Sequence, residues 1–148
     1  MADALDEQTI SLEGAQRVLA AALLLAEQMN VRVSVAVAGR AGDHKAFARM
    51  DGASMLSAET ARRKVYTVAA TGMSTQEFGS ILKSEMGDEP ELFHGMISIE
   101  GLIAFAGGVP IRLNGQRIGA VAVSGGTSAQ DQEIAEAAAR AITGTTAG

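Results

Sequence analysis

The dipeptide Asn114-Gly115 constrains the fold of this chain more than any other feature of its 148 residues. It lies between two strand-like segments, 111–113 and 116–123, which are separated by these two residues alone. A two-residue hairpin turn of type I′ needs positive φ at both central positions, and Asn followed by Gly is the pair that best tolerates this. The sequence therefore predicts an antiparallel hairpin across the dipeptide.

Three more strands are predicted elsewhere in the chain. Valines at every second position from 31 to 37 follow the period of a strand with one well-buried face. The segment 39–43 supplies a turn and 45–50 reads as a returning strand, so this region predicts a second hairpin. The short apolar segment 102–105 is interpreted as the fifth strand.

Four helices are predicted from apolar spacing and from capping residues. They span about 11–29 with Ser11 as N-cap and Asn30 as stop, 54–71 with Gly72 as C-cap, 74–86 with a capping box of Ser74 and Glu77, and 128–142 capped by Ser128 and Asp131. The segment 87–101 has no clear period and is predicted to be a long loop. The order α-β-β-α-α-β-β-β-α predicts one α+β domain over residues 1–148, an antiparallel sheet packed by helices.

Composition excludes several classes of function. The chain has no Cys, which excludes disulfides, thiolate nucleophiles and zinc ribbons, and its two His exclude a multi-histidine metal cage within one subunit. A net charge of -5 and a total of four Phe and one Tyr argue against nucleic acid as a partner. The acidic start lacks the basic region of a secretory signal, and the apolar stretch 18–26 is too short to span a membrane. We expect a cytoplasmic protein.

Two histidines are candidates for chemistry. His44 follows the first hairpin turn, and His94 lies in the aperiodic segment 87–101. A neutral imidazole can ligate haem iron or act as a general base. An ordinary surface or packing role is the alternative for each of them.

Basic side chains and glycine pairs form a second group of candidates. Arg49 and Lys64 could hold a carboxylate, whereas the alternative is a solvated charged face with pairs such as Arg49–Asp51 or Glu59–Arg63. Gly125-Gly126 precede a helix, where free amides attract anions, but a plain strand-to-helix turn is the favoured interpretation of them. No Lys follows at the spacing of a P-loop.

The segments 33–37 and 41–53 resemble the GlcG/HbpS family, which includes the C-terminal domain of PduO-type proteins. The second of them reads Ala-Gly-Asp-His-Lys-Ala-Phe-Ala-Arg-Met-Asp-Gly-Ala. The resemblance continues through 61–70, through Gly107-Gly108-Val109-Pro110-Ile111 and through 119–127, and so covers nearly the whole chain. Arg40 is a departure, because it stands where the family usually has Asp.

The resemblance implies a five-stranded antiparallel sheet and a homo-oligomer, from a dimer to an octamer. Some members are described as haem-binding or haem-degrading, and others act without a cofactor as lyases on small aromatic acids. The first hypothesis is therefore a small-ligand binder that holds haem at a subunit pocket. In it His44 or His94 ligates the iron, Met50 and Phe105 cover the macrocycle, and the other ligand-binding candidates are Arg49, Asp51, Lys64, Gly107, Gly108, Gly125 and Gly126.

The alternative hypothesis is a metal-free lyase or isomerase that acts on a small aromatic carboxylate. Arg49 or Lys64 would anchor the acid in such an enzyme, and His44, Glu59 or Tyr66 would move a proton. A third possibility is a structural partner of a neighbouring enzyme that binds no ligand.

Overall fold

The computed structural model describes residues 1–144, so residues 145–148 of the predicted domain lie outside the described part. In chain order its elements are α1 Leu12–Gln28, β1 Ser34–Gly39, β2 His44–Arg49, α2 Met55–Thr71, α3 Thr75–Glu85, α4 Pro90–Ser98, β3 Gly108–Leu113, β4 Gln116–Ser124 and α5 Ser128–Ala139. The predicted α+β class is confirmed. The described residues form five helices instead of about four, and one sheet of four strands.

The sheet has the order β2-β1-β4-β3, and every neighbouring pair is antiparallel. Both predicted hairpins are present, and Asn114 and Gly115 have φ of 51° and 79°, as a type I′ turn requires. The prediction of a five-stranded sheet was wrong, because the segment 102–105 is not a strand. Its backbone bonds to a helix side chain instead of to a strand: the N–H of Ile103 donates to Oγ1 of Thr67 at 3.0 Å.

The predicted loop 87–101 contains α4, which corrects that prediction. Pro90 begins this helix, a position where the missing N–H of proline costs nothing. None of its residues is buried and no side chain caps it. Its apolar residues Leu92, Phe93, Met96 and Ile97 recur at helical spacing, but nine residues cover only about two turns, which is too short a window for periodicity to stand out.

Side-chain size differs between the two faces of the sheet. One face carries Val35, Val37, Val121 and Val123, which form the main core with α1 and α5. The other face carries Ala36, Ala38, Ala120 and Ala122, which pack against α2. β1 is thus buried on both faces, and the alanine face allows α2 to lie close to the strands.

Most predicted helix ends are confirmed. Oγ of Ser11 accepts from Gly14 N–H at 3.0 Å, and Gly72 ends α2 in the left-handed conformation. The cap of α5 is a correction: Thr127 is its N-cap, within a capping box completed by Gln130, whereas Ser128 is already helical. Within residues 1–144, no helix is both long and apolar enough to cross a bilayer.

Candidate functional site

A cavity of about 480 Å³ lies between α2, the β1–β2 turn and the segment that follows α4. It is lined by Gly42, His44, Glu59, Arg62, Arg63, Tyr66, Ile99, Glu100 and Gly101. The three residues predicted to move protons, His44, Glu59 and Tyr66, therefore lie on one cavity. The sequence separates His44 from the other two, and the packing of α2 beside β2 brings them together.

Two local features position these side chains. Residues 59, 62, 63 and 66 recur at steps of three, one and three along α2, which places them on neighbouring positions of one helix face. His44 pairs with Ala38 and Phe47 pairs with Ala36, so both lie on the face of the sheet that α2 covers. The helix and the edge strand β2 thus present their side chains to the same space.

A glycine on the far wall allows the chain to approach Tyr66. Gly101 has φ of 93°, and a Cβ atom there would lie 2.8 Å from Cδ1 of Tyr66. Only glycine combines this left-handed conformation with so close an approach. The segment after α4 can therefore lie against the tyrosine ring and close one side of the cavity.

Glu59 is held by two guanidinium groups. Nη2 of Arg62 donates to Oε2 of Glu59 at 2.5 Å, and Nε of Arg63 donates to Oε1 at 2.8 Å. These hydrogen bonds, first from Arg62 and then from Arg63, lower the pKa of Glu59. Glu59 is therefore a carboxylate at neutral pH and serves to orient the two arginines.

Arg62 and Arg63 are site residues that the sequence analysis did not single out for the site. Nε of Arg63 bonds to Glu59, and its two terminal nitrogens make no hydrogen bond to another residue of 1–144. A guanidinium is always charged and matches a carboxylate with two parallel hydrogen bonds. Arg62 and Arg63 lie three and four residues after Glu59 and a similar distance before Tyr66. This helical spacing could have identified both arginines as site residues from the sequence.

A second cavity of about 410 Å³ adjoins the first. It shares His44, Glu59 and Arg62 with it and adds Phe47, Met55 and Ala58. Phe47 is 47% exposed and Met55 is 78% exposed, so two large apolar side chains face this space. We call the two cavities together the His44 groove: Phe47, Met55 and Ala58 line one end, Arg63 and Tyr66 line the other, and His44 lies between them with Glu59 and Arg62.

Lys64, another predicted ligand-binding residue, points into the protein instead. Its Nζ donates to the carbonyl of Val123 at 2.8 Å and lies 3.4 Å from Oδ2 of Asp131. Nζ also lies 5.1 Å from the ring centre of Phe105. Burial lowers the pKa of Lys64 and raises the pKa of Asp131, and the attraction between the two opposes both shifts. The contacts of Lys64 are those of a structural ion pair.

The remaining predicted basic and apolar residues lie outside the described lining of the His44 groove. Nε of Arg49 donates to the carbonyl of Ala53 at 2.9 Å, next to Asp51 in the turn before α2. Met50 packs against the main core. His94 lies on α4, where its ring meets Phe93 edge to face at 5.6 Å.

The glycine pairs donate their amides to the chain itself. Gly125 and Gly126 line a cavity of about 570 Å³, but the N–H of Gly126 donates to Oδ1 of Asp131 at 2.8 Å. The N–H groups of Gly107 and Gly108 donate to Gln132 and Thr75, each at 3.0 Å. These bonds match the structural interpretation that the sequence analysis favoured for Gly125-Gly126.

The donor set of the His44 groove fits haem better than a bare metal ion. In the part of the chain that the structure describes, no three His, Asp or Glu side chains are grouped to hold a metal ion. Haem requires fewer ligands from the protein, because the macrocycle supplies four of the iron ligands and one imidazole can supply another. His44 between an apolar wall and two arginines meets that requirement.

Comparison with known proteins gives a consistent picture. The family model described as "Haem degrading protein HbpS-like" matches residues 10–140. A 15.0 kDa protein encoded between dhaT and dhaS in Citrobacter freundii is 33% identical over 132 residues, which are 88% of this chain and 89% of that protein. The predicted resemblance is therefore confirmed.

Solved structures agree in fold. The crystal structure of Klebsiella pneumoniae protein ORFY is 33% identical, covers 95% of each chain and has a TM-score of 0.85. A crystal structure of PduOC in complex with haem is 28% identical, covers 90% of this chain and 95% of the other, and has a TM-score of 0.80. These structures share the whole architecture described above.

Proposed function

This chain belongs to the HbpS-like family of haem degrading proteins, and we propose that it binds haem in the His44 groove. The observation that carries the proposal is the position of His44 at the junction of an apolar wall and an arginine pair. The haem complex of the related PduOC domain supports the same ligand class. Bound haem would supply a redox-active iron, and the residues of this chain determine how it is held.

Each end of the groove matches one part of such a ligand. The exposed side chains of Phe47 and Met55 gain apolar burial from contact with a flat macrocycle. Arg63 matches a propionate carboxylate, since only its Nε is bonded to Glu59, and Arg62, whose Nε and Nη2 both bond to Glu59, has Nη1 left for such a ligand. The imidazole of His44 offers a lone pair to the iron.

A second subunit would close the open side of the groove. β2 is an edge strand, and Leu56, which follows Met55 at the start of α2, is 70% exposed. Such an apolar patch favours contact with another protein surface. The homo-oligomer expected from the sequence is therefore part of the proposal. We also keep in it the cytoplasmic location, which rests on the sequence alone.

A haemin titration tests the ligand and the role of His44 together. We expect a saturable Soret band at about one haemin per subunit, and we expect His44→Ala to weaken binding and change the spectrum. His94→Ala is the matched control and keeps the wild-type spectrum. A flat response to stoichiometric haemin contradicts the proposal, and a spectrum that changes in His94→Ala alone assigns the iron to the other histidine.

The family and the related structures give no support to the lyase or isomerase alternative. The grouping of His44, Glu59 and Tyr66 on one cavity does not favour it either, because the hydrogen bonds from Arg62 and Arg63 lower the pKa of Glu59 and so make it a weaker general base. We therefore propose a single function.

A further inference from the structure

Three arginines lie together at one end of the sheet, outside the His44 groove. Arg40 follows β1, Arg117 lies in β4, and Arg112 stands directly opposite Arg117 in β3. We call Arg40, Arg112 and Arg117 the arginine cluster. Arg40 and Arg117 line a cavity of about 440 Å³, together with Glu7, Gln8, Thr9, Ala41 and Asp43. The described linings of this cavity and of the His44 groove have no residue in common.

Reciprocal hydrogen bonds fix two members of the cluster. Nη1 of Arg40 donates to the carbonyl of Arg117 at 2.6 Å, and Nη1 of Arg117 donates to the carbonyl of Arg40 at 3.2 Å. Each bond uses one nitrogen of a guanidinium that has five N–H groups. The two side chains are thus held beside the cavity with donors to spare, so little entropy is lost when they bind an anion.

The cluster has more positive charge than its carboxylates balance. Oε2 of Glu7 lies 3.4 Å from Nε of Arg40, and the Glu7 side chain is 59% exposed. Asp43 also lines the cavity, but its Oδ2 lies 3.8 Å from Nζ of Lys45. Glu7 is therefore ion-paired with Arg40, while Arg112 and Arg117, which lie directly opposite on paired strands, repel each other.

The environment of Arg117 reflects this imbalance. Burial, then the charge of Arg40 and then the charge of Arg112 lower the pKa of Arg117, while Glu7 raises it only in part. The whole chain has a net charge of -5, so such a concentration of arginines is not a property of its surface in general. A bound anion would remove the repulsion.

We propose that the arginine cluster and its cavity bind a small molecule that carries a phosphate group. Arg40, Arg112 and Arg117 with Glu7 leave an excess of two positive charges, which a phosphate dianion balances and a single carboxylate does not. Glu7 belongs to the irregular segment before α1, so its carboxylate can move aside when the phosphate binds. The site is separate from the proposed haem groove.

Calorimetric titration of the full haem-free chain with inorganic pyrophosphate tests this site. We expect saturable binding that weakens at least about tenfold in Arg112→Gln and in Arg40→Gln, since each variant removes one charge from the cluster. Glu7→Gln strengthens binding, because it removes the competing carboxylate. Arg17→Gln is the control, an exposed arginine whose described partner is Glu13 on the same helix.

The two arginine variants differ in their expected effect on the fold, and two results would overturn the proposal. Arg112 makes no hydrogen bond to another described residue through its side chain, so Arg112→Gln keeps the fold even if Arg40→Gln loosens the turn. Absence of saturable heat in the wild-type protein overturns the proposal. Binding by Arg112→Gln equal to that by Arg17→Gln overturns it as well, and neither result affects the haemin titration.

Discussion

The ammonium group of Lys64 lies 3.4 Å from the carboxylate of Asp131, and the two side chains are only 1% and 6% exposed. This pair connects α2, the helix that carries the arginines of the His44 groove, to the first turn of α5. Asp131 also accepts a hydrogen bond from the N–H of Gly126 at 2.8 Å. A buried pair of this kind is costly to break, because the partner that remains is an uncompensated charge.

We therefore expect Lys64→Met to lower the free energy of unfolding by about 3–5 kcal/mol. The double variant Lys64→Met/Asp131→Asn recovers a large part of the loss, since no charge is left buried and Gly126 keeps an acceptor. Urea unfolding measures both values. Lys45→Met, at a half-exposed pair with Asp43, is the control and changes stability by no more than about 0.5 kcal/mol. Equal losses in the single and double variants would contradict a role for the ion pair.

The pKa of Glu59 predicts a pH dependence in acid. Hydrogen bonds from Arg62 and then from Arg63 lower this pKa below the ordinary glutamate value of 4.5, so the ionised form is favoured in the folded state. The contribution of Glu59 to stability is therefore present above the unfolded pKa and is lost as the pH falls through the lower folded pKa. NMR titration of the Glu59 carboxyl measures the shift directly. Arg62→Gln moves the midpoint back towards 4.5 more than Arg63→Gln does, and an unchanged midpoint in both variants contradicts the assignment.

The arginine end of the His44 groove predicts selectivity for ligand carboxylates. Arg63→Gln should weaken haemin binding about tenfold or more, because a hydrogen bond to a charged group contributes roughly 1.5–3 kcal/mol. The dimethyl ester of haemin lacks the carboxylates, so we expect Arg63→Gln to leave its affinity almost unchanged. Absorption titrations with the two ligands separate these cases. The exposed variant Arg17→Gln is the matched loss of charge and affects neither titration.

Replacing Gly101, which lines the groove beside Tyr66, is expected to destabilise the folded protein. A methyl group there meets the Tyr66 ring and the backbone has φ of 93°, so Gly101→Ala should lower stability by about 1–3 kcal/mol. Gly95→Ala is the matched control, because Gly95 lies in α4 with no atom within 4 Å of the added Cβ. That variant should be neutral or slightly stabilising, as Ala favours helix over Gly. Thermal unfolding compares the two, and equal midpoints would show that the Tyr66 wall tolerates displacement.

Local signals predicted much of this fold from the sequence. Asn114-Gly115 specifies its turn through backbone sterics alone, and Ser11, Gly72 and Ser74 mark helix ends for equally local reasons. The segment 102–105 was misassigned because its apolar character fits a strand, whereas its hydrogen-bond partner Thr67 is 36 residues away from Ile103. Long-range partners of that kind are not visible in a local pattern.

The site was predicted in part for the same reason. His44, Glu59 and Tyr66 were named individually, and the docking of α2 beside β2 is what places them on one cavity. Lys64 lies on the same helix as Glu59, but its side chain faces the interior and is buried beside Asp131. This contact depends on the packing of α5, which a local sequence pattern does not show. Residue type suggested an exposed anion anchor there, and tertiary packing determined otherwise.

The alanine face of the sheet controls the geometry of a site that it does not touch. Ala36, Ala38, Ala120 and Ala122 have no side-chain rotamers, so α2 rests on them at a distance fixed by the backbone. A larger residue at any of these positions would push α2 outward and move Glu59 and the arginines away from His44. The width of the groove can therefore be changed by substitutions in the sheet beneath α2, without altering the identity of any residue that faces the ligand.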